Sequence, residues 1–221
     1  MMNKPLTILI HGLHMNHWYT KPLEQKIRAS GFPTHRHNYH SLSESIAQHG
    51  RRLHDYLTAH HDQHQPINLV GHSLGGLVIR HFMHHYPNWQ VHRCVSLGTP
   101  HQGSICASYA KRYHLGALVK HALFEALDGH CPAISDKVEF GVIAGNKPIG
   151  LGVPFLAWHS RRHRLNEQEK IHDGTVYLFE TPLANASDYL ILPTSHTGLL
   201  TDKQTAHQVI HFLENGRFDH S

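Results

Sequence analysis

The 221-residue sequence holds no run of 18 apolar residues, so no segment reads as a membrane-spanning helix. No secretory leader is legible either. Leu6 to Ile10 is a five-residue apolar run that enters His11-Gly12 directly and is better used as a first strand, so the expected compartment is the cytoplasm. Cysteine is sparse: Cys94, Cys106 and Cys131 include no C-x-x-C pair and read as reduced structural thiols. The net charge of +4 is too mild to imply nucleic acid, and none is expected as a partner. No Ser- or Pro-rich linker, repeat or low-complexity tract divides the chain, so residues 1–221 read as one domain with a substantial core.

Histidine, by contrast, is abundant: 27 residues, spread along the whole chain. Their collective effect is a rise in positive charge below about pH 6.5. His35, His37 and His40 lie close together, as do His60, His61 and His64. Neither group has zinc-finger or H-E-x-x-H spacing, so no metal or other cofactor is expected. The basic clusters are short: Arg51-Arg52, Lys111-Arg112 and Arg161-Arg162-His163-Arg164. A solvated loop is the favoured reading of the last, and transient contact with an anionic head group or membrane surface is the alternative.

Strand and helix signals alternate, which argues for a parallel sheet covered on both faces. The strands are read at Leu6–Ile10, His35–Tyr39 (an edge strand), Ile67–Val70, Val91–Leu97, Val138–Ala144 and Tyr189–Leu192. Helices are read at Lys21–Ala29, from a capping box at Ser41–Glu44 to about His60, at Leu74–Tyr86, at Ile105–Leu127 with a break near Gly116, and at Thr201–Glu214. The fold class is therefore α/β, doubly wound, with about six mostly parallel strands.

Gly71-His72-Ser73-Leu74-Gly75 matches the G-x-S-x-G nucleophile elbow. With 17 glycines and 13 serines, composition alone yields one such pentapeptide in roughly a tenth of chains this long, so context decides. Here the context is an apolar strand before the motif and a helical pattern after it, which would present Ser73 at the carboxyl end of the sheet. A serine hydroxyl needs a base and oxyanion donors. His196, directly after the last strand, is the candidate base. Asp173, in His172-Asp173-Gly174-Thr175, is the favoured carboxylate, with Asp188 its rival as a cap or turn residue. The backbone N–H groups of Leu13 and Leu74 are the candidate oxyanion donors.

Thr7-Ile8-Leu9-Ile10-His11-Gly12-Leu13, Val70-Gly71-His72-Ser73-Leu74-Gly75-Gly76, Gly98-Thr99-Pro100-His101-Gln102-Gly103-Ser104 and Asp173-Gly174-Thr175-Val176 stand in an order that resembles lipase-like α/β-hydrolases. The resemblance is to the bacterial triacylglycerol lipase and esterase group and the related inositol-deacylase-like proteins, and it covers nearly the whole chain. It implies an α/β-hydrolase fold and carboxylic-ester hydrolysis through an acyl-enzyme. It also implies Ser73 as nucleophile, Asp173 and His196 as its partners, and Leu13 and Leu74 as oxyanion donors. An intracellular esterase or lipid deacylase fits this short chain, which shows no calcium loop.

On the substrate side, residues 105–137 are a candidate cap or lid, with Leu115, Leu118, Val119, Leu123, Phe124 and Leu127 at helical spacing. A single amphipathic helix packed on the body is the alternative. Residues 145–158 read as an irregular apolar loop that lines an acyl pocket or closes the core. Leu13, His14, His72, Phe155 and Leu156 are the candidate substrate contacts. The expected partner is a small-molecule or lipid ester. A thioesterase or acyltransferase would use the same three residues, and a non-catalytic, histidine-rich metal binder on a hydrolase scaffold is the alternative of a different class.

Overall fold

The computed structural model describes residues 4–112 and 126–221. Six strands form one sheet: β1 (Leu6–Ile10), β2 (Thr34–His37), β3 (Ile67–His72), β4 (Val91–Leu97), β5 (Glu139–Gly145) and β6 (Asp188–Leu192). Their order is β2-β1-β3-β4-β5-β6, and every neighbouring pair is parallel. The helices of the described residues are α1 (Lys21–Ala29), α2 (Ile46–His60), α3 (Leu74–His85), α4 (Ile105–Arg112), α5 (Val153–His163) and α6 (Lys203–Asn215).

A parallel sheet needs both faces covered, because its crossovers lie on them. The pleat alternates accordingly. Ile8, Ile10, Leu69, Phe140 and Val142 join one core with Leu53 and Leu57 of α2 and Leu77, Val78 and Phe82 of α3. Leu9, Val70, Val95 and Ile143 join the other, with Leu23 and Ile27 of α1 and Val209, Phe212 and Leu213 of α6. The strand order reverses between β1 and β3. In open α/β sheets, ligands bind outside the carboxyl ends of the strands at such a point.

Two elements differ from expectation. The capping box of α2 is Ser45 with Gln48, not Ser41 with Glu44. The earlier pair is committed elsewhere: Ser41 Oγ accepts from the His14 N–H at 3.1 Å, and Glu44 pairs with Arg52. Residues 153–163 form a helix rather than loop. Pro154 occupies its first turn, where a missing N–H is tolerated, so the Gly and Pro content marks the helix start. Arg161 and Arg162 therefore lie on that helix rather than in a loop. Of the candidate cap, Ile105–Arg112 is helical, whereas Leu115, Leu118, Val119, Leu123 and Phe124 lie outside the described residues.

Candidate active site

Ser73 sits between β3 and α3 with φ 53° and ψ −119°, a conformation that L-residues adopt only under constraint. The constraint is visible on both sides. A Cβ on Gly71 would lie 2.5 Å from the carbonyl carbon of Gly75, and a Cβ on Gly75 would collide with the Ile10 carbonyl. The turn is tied to β4 as well: the Ser73 N–H donates to Leu97 O at 2.8 Å, and the Thr99 hydroxyl donates to Ser73 O at 2.8 Å. Ser73 is also the residue just before α3, so the positive end of that helix lies at its side.

Asp173 and His196 come together although 23 residues separate them. His196 Nδ1–H donates to Asp173 Oδ2 at 2.7 Å, and both side chains are buried. The other oxygen, Oδ1, accepts from the N–H groups of Thr175 at 2.9 Å and Val176 at 2.8 Å. Burial alone would raise the Asp173 carboxyl. The charge and hydrogen bond of His196 and the two backbone donors outweigh it and hold the group below its ordinary value. The backbones are joined too, since His196 N–H donates to Asp173 O at 2.9 Å. With Nδ1 engaged, Nε2 is the nitrogen left to act as a base.

One glycine lies against this pair and another against the elbow. A Cβ on Gly98, just after β4, would lie 3.0 Å from His196 Nδ1 and 3.1 Å from Asp173 Oδ2. A Cβ on Gly12 would lie 3.0 Å from Ser73 Cβ and 3.1 Å from His72 Nδ1. His72 Nε2–H donates to the His196 carbonyl at 2.8 Å. The rival carboxylate, Asp188, is the first residue of β6 and accepts from the Phe218 N–H at 2.7 Å and from His220. It works at the opposite end of the strand from His196, which follows the carboxyl end.

Leu74 opens α3 and so carries one of the N–H groups that a helix start leaves without an intrahelical acceptor. Leu13 follows Gly12 in the turn after β1, where His14 takes φ 59°. Among the described residues, no carbonyl or side chain accepts from either N–H.

The expected substrate contacts divide. Leu13 is half-buried, His14 is exposed, and Phe155 is exposed on α5. His72 and Leu156 are interior residues instead. Burial, then the neighbouring His196, drives His72 down to about 3, so it is a neutral strut for the His196 loop. Leu156 is fully buried, and its carbonyl accepts from the Tyr177 hydroxyl at 2.6 Å.

Sequence reasoning missed several supporting groups. His11 is buried, donates from Nδ1 to Gly12 O at 2.9 Å and stacks on Tyr39 at 4.2 Å, so it braces the Leu13 turn. His101 accepts or donates at Ser96 Oγ (2.9 Å), and Arg80 donates to its carbonyl at 3.1 Å. Glu180 is buried, which pushes its carboxyl up to about 8 although the N–H groups of Ile105 (2.5 Å) and Tyr177 (2.6 Å) donate to it. It thereby joins the start of α4 to the segment after Asp173. His11 and His101 stood inside recognised motifs without a role of their own there; Glu180 carried no local signal. Among the described residues, no three His, Cys, Asp or Glu side chains are grouped to hold a metal ion, and the three cysteines are free thiols.

An all-parallel sheet of this order, with a strained serine between its central strand and a helix, defines the α/β-hydrolase class. The chain belongs to the palmitoyl protein thioesterase family, whose model matches residues 7–129. Comparison with curated protein sequences gives no match. Among solved structures, the chain is similar to the lipase BlEst2 of Bacillus licheniformis in its mature form, with TM-score 0.72 and 19% identity over 98% of this chain and 93% of that one. A metagenomic carboxyl esterase aligns with TM-score 0.69 and 15% identity over 89% of this chain and 65% of that one. A pyrethroid hydrolase from Sphingobium faniae JZ-2 aligns with TM-score 0.60 and 14% identity over 96% and 98%. At these identities the likeness is one of fold. No helix among the described residues is long and apolar enough to cross a membrane.

Proposed function

We propose that the protein is a serine hydrolase that cleaves a carboxylic ester with an apolar acyl chain. The observation that carries this reading is the buried His196–Asp173 pair at 2.7 Å, tied to the strained Ser73 elbow by the hydrogen bond from His72 to the His196 carbonyl. Ser73 Oγ attacks the ester carbonyl while His196 Nε2 takes its proton. The Leu13 and Leu74 N–H groups receive the negative charge that develops on the carbonyl oxygen. His196 returns the proton to the departing alcohol, leaving Ser73 acylated. Water then attacks the acyl-enzyme by the same route, releasing the acid and restoring Ser73. Asp173 fixes the His196 tautomer and stabilises its charged form.

Family membership favours a second reading, in which the bond cleaved is a thioester and the leaving group a thiol. The same residues would serve, because a thiolate leaves more readily and asks less of the general acid.

Hydrolysis of p-nitrophenyl esters from acetate to palmitate, by wild type and Ser73→Ala, tests the first reading. Serine-dependent turnover is expected, and the preferred chain length identifies the acyl class. Activity that survives Ser73→Ala overturns the assignment. Faster serine-dependent cleavage of an acyl thioester than of the matched oxyester selects the second reading.

A further inference from the structure

Residues 146–166 contain no Asp or Glu, but carry Lys147, Arg161, Arg162 and Arg164. The same stretch displays apolar side chains to solvent. Leu151 is 96% exposed, Ile149 58%, and Phe155 and Trp158 are both exposed on α5. Phe155, Trp158 and Arg162 recur at helical spacing on the outer side of α5, and the Arg162 guanidinium lies over the Trp158 ring at 5.4 Å. The inner side is spoken for: Leu156 is buried, and Ser160 Oγ meets the Tyr177 hydroxyl at 2.7 Å. The nearest following acid, Glu167, is engaged by Lys170 at 2.6 Å.

This face adjoins the candidate site. The backbone of Gly150 and Gly152 lies so close to Gly174 that a Cβ on either would come within 2.8 Å of its carbonyl oxygen. Gly174 directly follows Asp173. The loop that carries Ile149 and Leu151 is thus packed against the turn that follows Asp173.

From this arrangement we infer that α5 and the loop before it form a docking surface for an anionic lipid bilayer. An aromatic and aliphatic tip flanked by arginines, without acids, is the chemistry that enters a head-group layer. The apolar side chains bury among acyl chains, and each cation near the surface gains from the negative potential. Tryptophan is favoured at that depth. A second copy is the poorer occupant, because a two-fold contact would set Arg161 and Arg162 against their own like charges. The docking gives the ester-hydrolase reading a source of acyl substrate, and it rests on that reading only for its purpose.

Binding is therefore measured apart from catalysis, by flotation of the full chain with vesicles of phosphatidylcholine alone or with about one third phosphatidylglycerol. Ser73→Ala protein is expected to float with the anionic vesicles and to dissociate as salt is raised. Arg161→Glu/Arg162→Glu should lower that binding at least tenfold while p-nitrophenyl acetate turnover stays unchanged. Leu151→Ser should weaken it severalfold. Equal recovery with neutral vesicles, absence of binding, or binding indifferent to both variants would overturn the proposal. So would a dimer that Leu151→Ser dissociates without any vesicle binding. Loss of the catalytic reading alone would appear as normal flotation with no serine-dependent turnover.

Discussion

His72 and His196 are joined by a hydrogen bond of 2.8 Å from the His72 ring Nε2–H to the His196 backbone carbonyl, with ring centroids 4.8 Å apart. The residue before the candidate nucleophile thus holds the loop that carries the candidate base. Burial keeps the His72 ring neutral, so the bond is not a charge effect. His72→Leu leaves a buried carbonyl without a donor, a loss of about 1–3 kcal/mol. We expect kcat to fall about tenfold with a lowered urea midpoint, and His72→Gln, which keeps a donor, to recover part of both. Unchanged kcat in His72→Leu would separate the strut from the chemistry.

Ser73→Ala removes the hydroxyl but keeps a Cβ at φ 53°, so the strain remains. Ser73→Gly removes both. Strain at such a position is on the order of 1–3 kcal/mol, partly offset by the extra freedom of glycine in the unfolded chain. Ser73→Gly should therefore melt higher than Ser73→Ala by a few degrees, with neither variant hydrolysing ester. Equal melting temperatures would mean that the elbow is relaxed.

Asp173→Asn keeps the size of the side chain but presents an amide where His196 Nδ1–H needs an acceptor. The His196 ring loses its anchor and its preferred tautomer, and kcat should fall by about three to four orders of magnitude. Steady-state kinetics on a soluble ester checks this. A decrease of less than tenfold would remove Asp173 from the mechanism.

The buried histidines predict acid lability. Burial drives His11 and His49 down to about 4 and His37 and His72 down to about 3, from an ordinary value of 6.5. The unfolded chain therefore takes up protons that the folded chain refuses. Their stabilisation is complete above about pH 6.5 and is lost as pH falls towards those lowered values. Each group costs about 1.4 kcal/mol per pH unit in that window, so four together remove several kcal/mol by about pH 5.5. Urea midpoints should drop steeply between pH 7 and 5.5. His49→Leu should flatten the slope, because it removes one of these four buried rings. A midpoint constant over this range would refute the neutral-core reading.

Most of the architecture was legible in the chain. The alternation of short apolar runs with helical patterns placed six strands and most helices within a few residues, because a parallel sheet demands covered faces and a one-dimensional pattern records that demand. Pro and Gly obscured α5, since the residues that break a helix interior also open one. The α2 cap was misplaced by four residues because Ser41 and Glu44 have the composition of a cap but are taken by His14 and Arg52, contacts that only folding creates.

The sequence by itself determined the elbow. Gly71 and Gly75 flank Ser73 at a turn too tight for a Cβ, and that constraint is local, written in five consecutive residues. Position and resemblance singled out His196 and Asp173 in the sequence, but only the tertiary structure brings the two together. His196 and Asp173 lie in loops that follow different strands, and the parallel register of β4, β5 and β6 carries both loops to one edge of the sheet. It also decided that His72 and Leu156 face inward while Leu151, Phe155 and Trp158 face water. Side-chain direction depends on the packing of a whole element, which no short motif encodes.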